Sequence, residues 1–153
     1  MDIAATIRAD LADAWLPTIY KEKVRSGRTR AYHFDIPARQ NQADIQYTLL
    51  GIELKVGRRR FSCPDLATAR YLRVFARVGC RDFALPYDIS LISGVADELE
   101  TSWQRSLLLL DDLSVDRAAS LAQLVKAIRG EIAKLGPGEP MPLFDRETKQ
   151  RKQ

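Results

Sequence analysis

The chain reads as an α+β protein: an antiparallel or mixed β-sheet meander with flanking helices, in the order α-β-β-β-β-α-β, followed by a C-terminal α-hairpin. Three observations lead there. Apolar residues recur at helical spacing near both ends of the chain. Between them, residues 30–63 show short runs that alternate apolar and polar side chains, the mark of half-buried strands. Pro, Gly and Asp punctuate the junctions, where they end one element and begin the next.

Each element has its own local argument. Asp2 can cap a helix over residues 3–15, with Ile3, Ile7, Leu11, Ala14 and Trp15 on one face and Pro17 ending the pattern. Residues 18–24 read as a strand, and Ser26-Gly27 as a turn. Residues 30–36 alternate, with Tyr32, Phe34 and Ile36 on the inner face. Residues 37–43 are a polar loop. In residues 44–56 the apolar parity changes partway: Ile45, Tyr47 and Leu49 share one face, and Leu50, Ile52, Leu54 and Val56 share the other. Either a turn or bulge lies near Leu50-Gly51, or one strand is buried on both faces at its middle. Gly57-Arg58 makes the next turn, and residues 59–63 a short strand. Pro64-Asp65 starts a helix that Gly79 stops. Residues 82–87 form a buried strand. Residues 90–110 are helical, with Leu91, Val95, Leu99, Trp103 and Leu107 in register, and Ser114 caps a last helix to Leu135. Tyr32, Phe34, Ile36, Leu54, Leu72, Phe75 and Trp103 are the expected core. The expected organisation is an α/β core over residues 1–88, a helical hairpin packed on it over 89–136, and a flexible tail over 137–153.

Composition excludes several classes. The 153 residues are 46% hydrophobic, too apolar for wholesale disorder. The longest apolar run is Leu107-Leu108-Leu109-Leu110, far short of the ~18 residues of a membrane span. The start, Met1-Asp2-Ile3-Ala4, lacks the pattern of a signal peptide, so the expected address is cytoplasmic. Two cysteines, Cys63 and Cys80, and one histidine, His33, cannot make a structural zinc site without a carboxylate, and buried free thiols are the expectation.

Charge is unevenly placed. The formal net charge is +4, but residues 21–60 carry ten basic and four acidic side chains, a net of +6. Residues 82–117 carry eight acids and two arginines, a net of −6. The basic segment, with Lys21, Lys23, Arg58, Arg59 and Arg60, is a candidate contact for nucleic acid. Arg70, Arg73 and Arg77 run along one side of the helix that follows and join it as candidates.

One step carries chemistry. In Ile52-Glu53-Leu54-Lys55 the strand period places Glu53 and Lys55 on one face. A carboxylate there can ligate Mg²⁺, and a neighbouring lysine can orient a water or stabilise charge on a phosphorane. A second carboxylate is needed, and Asp44 and Asp35 are the upstream candidates. If residues 44–56 were one continuous strand, nine steps of ~3.3 Å would hold Asp44 and Glu53 about 30 Å apart. The site therefore requires the chain to fold back near residues 48–51.

With these residues the chain resembles the PD-(D/E)xK nuclease superfamily, whose core runs α-β-β-β-α-β. Ala43-Asp44-Ile45 followed by Gly51-Ile52-Glu53-Leu54-Lys55 looks like the signature of archaeal Holliday-junction resolvases. The resemblance spans roughly residues 2–87. It implies a Mg²⁺-dependent endonuclease, with Asp44 and Glu53 as metal ligands and Lys55 as the catalytic lysine. It also implies that Arg70, Arg73 and Arg77 lie near the nucleic-acid backbone. The competing expectation is a non-catalytic regulatory or adaptor protein of the same fold. In the tail, Met141-Pro142-Leu143-Phe144 resembles the end of bacterial sliding-clamp binding peptides, an expected protein contact. A homodimer completes the partner expectations.

Overall fold

The computed structural model describes residues 2–138. Its class is α+β. Helix α1 spans Ile3–Leu11, opened by Asp2, whose carboxylate accepts the Ala5 N–H at 3.1 Å. It stops earlier than the apolar spacing suggested: Ala12 turns at φ 50°, a 3₁₀ turn covers Ala12–Ala14, and Trp15 is extended. Pro17 then sits in the first turn of a second helix, α2, Leu16–Ile19, which runs on through a wide π turn, Tyr20–Val24. The strand expected over 18–24 is therefore helical. Leu16, Ile19, Tyr20 and Val24 are buried at helical spacing, while Lys21, Glu22 and Lys23 all face water, a pattern no alternating strand can satisfy.

The strands are β1 (Thr29–His33), β2 (Ala43–Thr48), β3 (Gly51–Val56), β4 (Arg59–Cys63) and β5 (Asp82–Pro86). They make two antiparallel sheets, not one meander: β1 pairs with β5, and β2, β3 and β4 form a separate three-stranded sheet. The loop between β1 and β2 joins the two sheets. The Asn41 side-chain amide donates to the Pro37, Arg39 and Ala76 carbonyls, tying the loop to the C-terminal end of helix α3, Leu66–Val78, before the chain turns into β2. Gly79 ends α3 at φ 86°, and a Cβ there would stand 2.1 Å from the Arg39 carbonyl oxygen, so the contact demands glycine.

Two long helices follow, α4 (Ile92–Leu113) and α5 (Arg117–Leu135). Leu91, expected in register with α4, sits in a preceding 3₁₀ turn and is exposed. Asp116, not Ser114, caps α5, accepting from the Ala119 N–H at 3.3 Å. Ile92, Leu99, Trp103 and Leu110 of α4, with Leu124, Val125, Ile128 and Ile132 of α5, belong to the same buried cluster as Ile7, Phe34, Leu54 and Phe75. The expected core is buried throughout, with Tyr32 partly so. Phe75 of α3 stacks on Phe83 of β5 at 4.1 Å, and the Tyr20 hydroxyl accepts from the Ala84 N–H and donates to the Gly136 carbonyl. No helix among the described residues is long and apolar enough to cross a membrane.

Candidate metal and nucleic-acid site

The fold-back that the site requires is present. β2 and β3 form a hairpin closed by Leu49-Leu50, with Thr48 opposite Gly51. Both leucines keep negative φ, and Gly51 at φ 126° absorbs the reversal. The Thr48 hydroxyl accepts the Leu50 N–H and donates to the Gly51 carbonyl, locking the turn.

The register follows from that turn. Asp44 lies opposite Lys55, and Gln46 opposite Glu53. On the other side of β3, Glu53 faces Ser62 and Lys55 faces Arg60. Period two then places Asp44, Gln46, Glu53, Lys55, Arg60 and Ser62 on one face of the sheet. Ala43, Ile45, Leu54, Val56, Phe61 and Cys63 form the other face, turned to the core, where Phe61 meets Phe34 at 4.9 Å. Asp44 and Glu53 are diagonal neighbours, a backbone separation of ~7–8 Å instead of about 30 Å.

Glu53 is the most constrained member. Its side chain is 21% exposed, and its Oε1 is buried without a hydrogen-bond partner among the described residues. The nearest cation is Arg60, whose Nη1 stands 4.0 Å away. Asp44 is exposed, and Lys55 is half-buried. Among the described residues no three His, Cys, Asp or Glu side chains gather into a cluster. Any ion held here would rest on two carboxylates, with solvent, substrate or amide oxygens completing its shell.

Asp35, the other candidate aspartate, is committed elsewhere. It pairs with Arg59, whose hydrogen bond and charge hold its carboxyl below the usual range. Arg59 shares its parity with Phe61 and Cys63, so that pair belongs to the side of the sheet away from Glu53. Asp44 is the aspartate that the register brings to Glu53.

The basic candidates divide. Arg58 is exposed in the β3–β4 turn, and Arg60 lies on the face of Glu53. Lys21 and Lys23 are exposed on the π turn, which packs against α4 and β5. The arginines of α3 are drawn inward. Arg70 pairs with Asp97 and Glu100, Arg73 donates to Glu100 at 3.0 Å, and Arg77 donates to the Ala43 carbonyl at 3.1 Å. Arg70 and Arg73 thus face α4, and their charges are balanced by its acids instead of standing free for phosphates. Burial first, then Arg73, lowers the pKa of Arg77.

Both thiols are free and buried; burial raises Cys63 and pushes Cys80 up to about 12. Neither is poised as a nucleophile. His33 pairs with Asp82 across β1 and β5 at 2.7 Å. Met141-Pro142-Leu143-Phe144 lies outside the described residues. Sequence reasoning missed Gln46 and Ser62. Their signal was present as spacing of two from Asp44 and Arg60, but it needed the hairpin register to become a shared face.

Comparison with known proteins finds no matching family model, no matching curated protein and no matching solved structure.

Proposed function

We propose that this chain is a divalent-metal-dependent phosphodiesterase of nucleic acid, with the β2–β3 hairpin as its reacting surface. The observation that supports this reading is the convergence of Asp44, Glu53 and Lys55 on one sheet face, with a buried Glu53 oxygen that no donor among the described residues satisfies. An acceptor-only oxygen without a donor suits a hard cation such as Mg²⁺, which carboxylates bind. Asp44 and Glu53 would hold the ion. An ion bound there would supply Lewis-acid polarisation of a phosphoryl oxygen and would lower the pKa of a water. Lys55, directly across from Asp44, supplies a positive charge for the non-bridging oxygens as negative charge builds on them. Arg60 and the exposed Arg58 bind flanking phosphates through charge, without reading sequence. The reading is that of a PD-(D/E)xK-like nuclease acting in the cytoplasm.

The test is Mg²⁺- or Mn²⁺-dependent cleavage of duplex, branched and single-stranded DNA and RNA. Cleavage that needs metal, and that Lys55→Ala abolishes, supports the reading. Absence of cleavage on every substrate refutes it. A second reading, a non-catalytic adaptor, draws on a different observation. Tyr47, Leu49 and Leu50 at the hairpin tip are 71%, 106% and 94% exposed, an apolar tip that a protein partner or a second copy of the chain would cover.

A further inference from the structure

A cavity of about 540 Å³ opens beside Asp44, between the loop leading into β2, the C-terminal end of α3, and helices α4 and α5. Its size is that of a small-molecule site. Trp103, Leu107 and Leu121 give it an apolar wall. Gln42 and Gln104 stand on its rim, both exposed and both without a hydrogen bond to the described residues, each offering a donor and an acceptor. Two guanidinium groups, Arg77 and Arg117, and the Asp44 carboxylate also line it. Arg77 spends an Nη on the Ala43 carbonyl, and Arg117 spends its Nε on Asp111, which leaves further N–H groups on each. A bare anion would need none of the apolar wall or the amides. An apolar ligand would use neither the remaining guanidinium N–H groups nor the two amides. A nucleotide uses all three kinds of group.

We propose that this cavity is a nucleotide subsite, taking an unpaired base against the Trp103, Leu107 and Leu121 wall, its edge on Gln42 and Gln104 and its phosphate on Arg77 and Arg117. The proposal deepens the phosphodiesterase reading and rests on it for the identity of the substrate. Asp44 lines the cavity and also belongs to the hairpin face, so the bound nucleotide adjoins the bond to be cleaved. A base in a duplex keeps its hydrogen-bonding edge inside the helix and reaches such a pocket only after being flipped out, a cost that an unpaired base does not bear. The substrate class that follows is nucleic acid unpaired next to the scissile phosphate.

The experiment is a titration of the ¹⁵N-labelled full chain, in EDTA, with nucleoside 5′-monophosphates, the matching nucleosides and inorganic phosphate, followed by the side-chain amide signals of Gln42 and Gln104. The monophosphates should move both signals more strongly than either part alone. Gln104→Leu, an exposed helix position where folding is not at stake, should weaken the affinity about fivefold, one hydrogen bond's worth. Arg117→Gln should weaken monophosphate binding and leave the nucleoside unaffected. Equal shifts with phosphate alone, no shift at either amide, or unchanged affinity in Gln104→Leu overturns the proposal. No metal is present and no bond is cut, so these outcomes are independent of the cleavage test. Nucleotide binding without cleavage removes the phosphodiesterase reading and keeps the subsite; cleavage without binding does the reverse.

Discussion

Replacing Glu53 by glutamine separates a metal ligand from a charged strand face. Without metal the change should be mild. The Glu53–Arg60 pair spans 4.0 Å with Arg60 61% exposed, and such pairs contribute at most about 1 kcal/mol. The amide also removes a charged oxygen that is buried without a hydrogen-bond partner among the described residues. Apo stability should therefore stay within about 1 kcal/mol of the wild type. With metal the two proteins diverge. An ion that binds the native state alone adds about 2.7 kcal/mol at 100 times its Kd. For a chain of 153 residues that is about 5–10 °C in Tm. Thermal unfolding by circular dichroism in EDTA and in rising Mg²⁺ or Mn²⁺ measures it. The wild type should show the metal-dependent rise and Glu53→Gln should lose it, while Lys55→Ala keeps the rise and loses cleavage. A rise that persists in Glu53→Gln places the ion elsewhere. No rise in the wild type at any metal concentration refutes the pairing of Asp44 with Glu53 as a ligand set.

Three further outcomes follow from the same geometry. Asp44→Asn should abolish the metal-dependent Tm rise, whereas Asp35→Asn, which alters only a pair on the other side of the sheet, should keep it; equal losses in the two variants would contradict the assignment of faces. Gly79→Ala should cost about 3 kcal/mol in urea unfolding, combining a left-handed φ of 86° with a Cβ driven against the Arg39 carbonyl, and a loss under 0.5 kcal/mol would show that the loop yields. At Glu100, burial works to raise the carboxyl pKa, but hydrogen bonds and charge from Arg70 and Arg73 outweigh it and hold it below its usual value. A depressed carboxyl stabilises the fold above its unfolded pKa of about 4.3 and loses that contribution as pH falls through the lower folded value. Glu100→Gln should therefore lower stability by about 2 kcal/mol at pH 7 and flatten the acid limb of the stability profile below about pH 4.5; an acid limb as steep as the wild type's would sink this account.

Much of the local structure is legible in the residues alone, because capping and periodicity act over one or two turns. Asp2, Asp65 and Gly79 mark helix ends by hydrogen bonds and φ preferences that need no distant partner. Alternation in residues 30–36 and 52–56 identifies inward-facing positions, and Phe34, Ile36 and Leu54 are buried accordingly, although β1 ends at His33 and Phe34 and Ile36 lie in the segment just after it. The parity change near Leu50 already narrows residues 44–56 to a turn, a bulge or a doubly buried strand. Pro17 misleads for a physical reason: it closes one helical pattern and opens another with equal ease, since the first turn of a helix does not need its missing N–H.

Pairing and charge balance lie beyond that local information. Turn closure at Leu49-Leu50 sets which residue faces which, and a slip of one position would send Asp44 to the core side of the sheet. The loop between the two sheets is held to α3 by Asn41, a bond across 35 residues of chain. Arg70 and Arg73 sit on one side of α3, as their spacing indicated, yet the docking of α3 on α4 gives them Glu100 in place of a phosphate. The cavity beside Asp44 joins segments near residues 42, 77, 104 and 117, and no periodicity relates them. Hydrophobic period tells each residue whether it faces inward; which groups then meet depends on how already-formed elements pack, an energy of contacts between residues far apart in the chain.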